Sequence, residues 1–107
     1  ESGILSFAGW RLDPRRRRLV AADGSEPGLT AGEFDLLTVF VERPGRVLSR
    51  EQLLDLTRGR EAAAFDRSID SQVSRLRRKL EPDSARPTLI KTVRASGYVF
   101  TSTVERS

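Results

Sequence analysis

The stretch Ser71-Gln-Val-Ser-Arg-Leu-Arg-Arg-Lys-Leu80 decides how this chain is read. At ~100° per residue, Ile69, Val73, Leu76 and Leu80 fall within one narrow arc of a helix, and Arg67, Ser71, Ser74, Arg75 and Arg78 lie opposite. A helix anchored by aliphatic side chains and presenting serine and arginine outward suits the major groove of DNA. There a guanidinium can grip guanine edges and phosphates.

Charge placement points the same way. The formal net charge is +4, yet residues 67–94 hold eight basic side chains against three acidic ones, while the rest of the chain is slightly acidic. An excess of positive charge in one segment is the footprint expected of a nucleic-acid surface. A chain of 107 residues makes one domain with a real core. It contains no Cys and no His, which excludes the usual zinc sites, thiol nucleophiles and imidazole acid–base chemistry. No catalytic residue, metal site or cofactor is expected. No apolar run approaches a membrane span and no secretory signal pattern is present. The sequence opens on Glu1 rather than Met, so a segment of a longer protein is expected.

Outward from the arginine-bearing helix, the helix starts are well marked. Thr30-Ala-Gly-Glu33 has capping-box spacing, with Leu29 and Phe34 as its hydrophobic staple, and Ser49-Arg-Glu-Gln52 repeats it with Leu48 and Leu53. The first helix is predicted to run to about Glu42, burying Phe34, Leu37, Phe40 and Val41, and to stop before Pro44-Gly45. The second runs to about Thr57 near Gly59. A polar loop, Arg58–Phe65, then leads to Asp66 as N-cap of the third helix, which Pro82 stops.

Short strands are predicted on either side of the helices. Leu5–Ala8, Trp10–Leu12 and Arg18–Ala21 alternate with turn residues, and Trp10 is assigned to packing of that sheet. The Arg15–Arg18 run beside Pro14 reads as a solvated hairpin connection rather than a second nucleic-acid site. Leu89–Arg94 and Tyr98–Ser102 form a hairpin through Ala95-Ser96-Gly97, with glycine at the left-handed position. Residues 4–102 make one domain, and the ends, 1–3 and 103–107, read as flexible.

Strands, three helices and a β-hairpin in this order form an α+β winged helix-turn-helix. Leu29-Thr-Ala-Gly-Glu-Phe-Asp-Leu-Leu37, Pro44-Gly-Arg-Val-Leu-Ser-Arg-Glu-Gln-Leu-Leu54, Arg67-Ser-Ile-Asp70, Ser74-Arg-Leu-Arg-Arg-Lys-Leu80 and Ile90-Lys-Thr-Val-Arg94 with Gly97-Tyr98 resemble the C-terminal effector domain of OmpR/PhoB-type response regulators. Gly59-Arg-Glu61 and Arg67-Ser-Ile-Asp70 lean toward the OmpR branch. The resemblance implies an N-terminal antiparallel sheet, a three-helix core and a C-terminal wing. It implies a bacterial, cytoplasmic transcription factor that binds tandem DNA half-sites as a dimer. A receiver domain would precede this segment in the intact protein; nothing before Ile4 could hold one. In relatives the loop corresponding to Arg58–Phe65 can face RNA polymerase, although a plain connector fits its composition equally.

Carried over position by position, the resemblance implies DNA-binding roles for Arg67, Ser71, Gln72, Ser74, Arg75 and Arg77 on the third helix, with Arg78 nearby. On the wing it implies roles for Thr92, Arg94 and Tyr98 at the backbone or minor groove. Tyr98 could equally pack at the hairpin base. Two positions depart from the family pattern. Ser71 stands where relatives commonly have an aliphatic residue, so the base preference of this helix should be its own. Ala95 stands where the wing turn usually has glycine, so a wing tip of different shape is expected. Two other function classes compete. A winged helix that docks an acidic protein would use the same basic surface. An enzyme would need more than Asp66 and Asp70 one helical turn apart, which a cap and a surface ion pair explain.

Overall fold

The computed structural model describes residues 3–57 and 68–106. Among these residues ten elements follow in order: β1 (Leu5–Phe7), β2 (Trp10–Asp13), β3 (Arg18–Val20), α1 (Ala31–Glu42), β4 (Val47–Leu48), α2 (Arg50–Thr57), α3 (Ile69–Leu80), β5 (Ile90–Val93), β6 (Gly97–Phe100) and β7 (Glu105–Arg106). This is the predicted order of sheet, three helices and wing, with two short strands, β4 and β7, that the sequence did not announce.

The strands build two antiparallel sheets. One has the order β3-β2-β1-β7 and the other β4-β6-β5. The C-terminal stretch expected to be loose returns to the first strand, pairing Leu5 with Arg106 and Ser6 with Glu105. Two residues are too short a signal for periodicity to reveal, and both side chains are polar because this edge faces solvent. The rings of Phe7 and Phe100 meet edge to face at 5.2 Å, joining the two sheets across the core.

Helix α1 is the hub. Its residues Glu33–Val41 are all buried, so it is hidden on every side rather than on one stripe. Both reciprocal bonds of the Thr30–Glu33 capping box form: the Thr30 hydroxyl accepts from the Glu33 N–H, and the Glu33 carboxylate accepts from the Thr30 N–H. The second box forms as well, with Gln52 and Ser49 exchanging bonds of 2.8 and 3.1 Å ahead of α2. Two buried polar side chains on α1 are held by partners: the Thr38 hydroxyl donates to the Phe34 carbonyl at 2.9 Å, and Asp35 is met by an arginine. Asp35 pairs with Arg17 at 2.8 Å, and the Arg17 guanidinium lies 4.8 Å from the Phe34 ring centre. The Arg15–Arg18 run is thus partly structural, because Arg17 reaches back to α1.

Helix α3 docks by the predicted stripe. Ile69, Val73, Leu76 and Leu80 are buried, each contributing about 1.5–3 kcal/mol of transfer free energy. Its N-cap is Ser68, whose hydroxyl accepts from the Ser71 N–H at 3.2 Å, so the helix begins later than an Asp66 cap would place it. Asp66, Arg67 and the loop Arg58–Phe65 lie outside the described residues. At the other end Glu81 is extended ahead of Pro82, as the residue before a proline should be. Its buried carboxylate accepts from the backbone N–H groups of Thr88, Leu89 and Ile90, clipping the end of α3 to the start of the wing.

Candidate nucleic-acid interface

The outward face of α3 presents a small set of side chains. Ser71 and Arg78 are exposed and Ser74 and Arg75 half-buried, and with Asp70 they line one shallow surface groove. The Arg78 guanidinium donates to the Ser74 hydroxyl at 3.3 Å, one turn away. Arg77, Arg78 and Lys79 crowd the last turn, where the helix dipole favours cations. Among the described residues this groove is lined by hydroxyl and guanidinium groups, with the Asp70 carboxylate at the start of the helix.

Three expected contact residues lie elsewhere. Gln72 is buried, and its amide nitrogen would stand only 3.2 Å from a Cβ placed on Gly32 of α1. At 300° around the helix from Ile69, it faces α1 rather than the groove. Arg77 turns to the wing: its guanidinium donates to the Ile90 carbonyl at 2.8 and 3.0 Å and to the Thr92 hydroxyl at 3.0 Å. Tyr98 is buried at the hairpin base, where its hydroxyl donates to Asp70. Of the two roles weighed for Tyr98, its position in the isolated domain is that of packing. Thr92 and Arg94 are exposed on the wing.

The wing tip has the shape that alanine was expected to disfavour. The turn between β5 and β6 is Arg94-Ala95-Ser96, closed by the Ser96 N–H donating to the Val93 carbonyl at 2.9 Å. Ala95 adopts φ +64°, the left-handed position that glycine would fill without strain. Gly97 has a different task. A Cβ there would lie 2.0 Å from the Leu48 carbonyl oxygen, so glycine is what lets β4 approach β6.

Arg50, at the start of α2, belongs to the same constellation, and the sequence reading missed it. Its Nε lies 2.7 Å from Asp70 Oδ1 and its guanidinium carbon 5.4 Å from the Tyr98 ring centre. The Arg77 guanidinium lies 5.6 Å from the same ring. Tyr98 therefore sits between two arginines and hydrogen-bonds the carboxylate that also holds Arg50. The Tyr98 hydroxyl and then the Arg50 guanidinium hold the Asp70 carboxyl below the usual carboxylate range. Burial first, and the bond to Asp70 second, push the Tyr98 hydroxyl up. A signal for Arg50 existed: an arginine in the first turn of a helix opposes the dipole and asks for a carboxylate nearby.

The family profile described as "Transcriptional regulatory protein, C terminal" matches residues 24–100. The chain belongs to this family. The regulatory protein VirG of Agrobacterium fabrum is 58% identical over 96% of this chain and 41% of its own length. The chain thus spans about two fifths of the curated relatives it matches. Among solved structures, the DNA-binding domain of RstA from Klebsiella pneumoniae, crystallised with the RstA box, aligns with a TM-score of 0.78 and 36% identity over 92% of this chain and 96% of that one. The response regulator DrrB of Thermotoga maritima, described as an OmpR/PhoB homologue, aligns with a TM-score of 0.78 and 30% identity, covering 92% of this chain and 44% of that one. This OmpR/PhoB-type domain is a winged helix-turn-helix, with α3 in the place of the recognition helix and β5–β6 as the wing. It belongs to a family of transcription regulators, not enzymes. Among its described residues, no helix is long and apolar enough to cross a membrane.

Proposed function

We propose that this domain binds double-stranded DNA with sequence preference, as the output module of a cytoplasmic two-component response regulator whose receiver domain precedes it. The observation that carries this reading is the outward face of α3. It combines Ser71, Ser74, Arg75 and Arg78 in one groove on a helix whose opposite stripe is locked into the core. Hydroxyl and guanidinium groups on a rigid helix match the donor and acceptor pattern of major-groove base edges. Arg78, exposed in the last turn, is assigned to phosphate, and Ser71, in the first turn, to a base. The wing residues Arg94 and Thr92 are assigned to the backbone or minor groove beside the helix. Arg67 and the loop Arg58–Phe65, the proposed contact with RNA polymerase, belong to the same reading and lie outside the described residues.

Two domains on tandem half-sites would protect DNA in two patches about 10–10.5 bp apart. Footprinting on promoter fragments of the source genome checks this. Uniform protection, or none, would favour docking of an acidic protein on the basic face instead. Arg78→Ala should weaken binding to all duplexes alike and flatten the slope of log K against log salt by about 0.9, the value for one phosphate contact. An unchanged slope would remove Arg78 from the interface.

A further inference from the structure

Glu33 is 1% exposed, yet it is surrounded by cations of the recognition helix. Its Oε1 accepts from the Thr30 N–H at 3.0 Å and from Lys79 Nζ at 2.6 Å. Its Oε2 is buried and accepts no hydrogen bond among the described residues; Arg75 Nε lies 3.7 Å from it. A carboxylate this deep needs compensating charge, because desolvation penalises it heavily. A helix cap needs only an acceptor at this position, and glutamine supplies one. The negative charge of Glu33 is therefore more than the cap requires, and it is directed at the inner edge of Arg75. The same Arg75 lines the groove with Ser71, Ser74 and Arg78.

We propose that Glu33 is a specificity-determining positioning residue that acts on DNA through Arg75. The buried carboxylate attracts the guanidinium from its Nε side, 3.7 Å away, and so biases the direction from which the terminal nitrogens approach the groove. An arginine so held presents its planar fork to a base edge. An arginine not held swings to the nearest phosphate, where it adds grip at every sequence alike. Glu33 also keeps Lys79 on Glu33 and on the Gly28 carbonyl, 3.2 Å away, and so limits the charge offered to phosphates. The cost is some non-specific affinity; the gain is discrimination. This rests on the DNA-binding reading above.

Glu33→Gln tests it, because glutamine retains the capping acceptor and removes the charge. The probes are a 24-bp duplex (about two helical turns) selected by the wild-type domain from a randomised pool, and a shuffled duplex of the same composition. The expected result is a fall of about fivefold in the affinity ratio between them, the low end of what one well-placed arginine contributes. Binding to the shuffled duplex should strengthen, with a salt slope steeper by up to about 0.9. In an Arg75→Ala background the same substitution should leave the affinity ratio unchanged, whatever the freed Lys79 adds to both duplexes alike; an equal fall in the ratio there would make Glu33 merely structural and overturn the proposal. Wild-type discrimination left intact by Glu33→Gln would overturn it while leaving the DNA-binding reading standing. Failure of the wild-type domain to bind either duplex would overturn both.

A second measurement needs no change at Glu33, should Glu33→Gln fail to fold. The Arg75 Nε–H resonance, assigned by its loss in Arg75→Lys, should keep its position when the selected duplex is added. Movement of that resonance to a phosphate-bound position would mean that Arg75 leaves Glu33 on binding, and the proposal would fall.

Discussion

Single residues set the fine terms of this domain, and Ala95 is the plainest case. A non-glycine residue at φ +64° brings its Cβ against the neighbouring carbonyl, at roughly 1–2 kcal/mol. Ala95→Gly should relieve that strain, and part of the gain is offset by the freedom glycine has in the unfolded chain. The expected net gain is about 0.5–1 kcal/mol, seen as a Tm rise of roughly 3–6 °C in a thermal melt. A Tm that stays put or falls would show that the wing tip is not strained at this position. Ser71 is the counterpart at the groove. Its hydroxyl is where a thymine-seeking methyl group could have stood, so the base preference of α3 is not inherited simply from its fold.

Elements are coupled through the Asp70 cluster, which ties α2, α3 and the wing at one point. Asp70 takes the Tyr98 hydroxyl from β6 and the Arg50 guanidinium from α2. Its folded-state pKa is depressed. Its contribution is therefore present above the unfolded value of about 3.9 and is lost as pH falls through the lower, folded value. The Asp70 side chain is 56% exposed, so solvent screens the effect and it should be small. A melt series from about pH 6 down to pH 3 should show a shallower acid decline in Asp70→Asn than in wild type. Superimposable declines would take Asp70 out of the coupling. Much of this level was legible in the sequence, because capping boxes and a 3.6-residue stripe are local signals. Both boxes form, and the α3 stripe is buried as spaced. The cluster itself was not legible. Arg50, Asp70 and Tyr98 are far apart in the chain, and only the docking of α2 and the wing against α3 brings them together. For the same reason Arg77 and Gln72 read as groove residues, although one is claimed by β5 and the other by α1.

At the scale of the molecule, the positive segment found by counting is only partly an outward surface. Glu33 draws Arg75 and Lys79 inward, and Arg77 spends its donors on the wing. Among the described residues of that segment, Arg78, Arg86, Lys91 and Arg94 remain exposed. The second feature at this scale is β7. Ending the chain after Val104 removes both residue pairs with β1 but keeps Val104 against the core. The loss should be about 1 kcal/mol, with faster amide hydrogen exchange over Leu5–Phe7; unchanged exchange there would make β7 dispensable. The pairing also has a mechanical meaning. Because β1 and β7 run antiparallel, the chain enters one and leaves the other at the same end of the strands. Tension applied between the two ends would open this ribbon as a zipper opens, one rung at a time, rather than shearing all its rungs together. A domain anchored at one end and pulled from the other would thus yield first at β7, while the helices and the wing still carry no load.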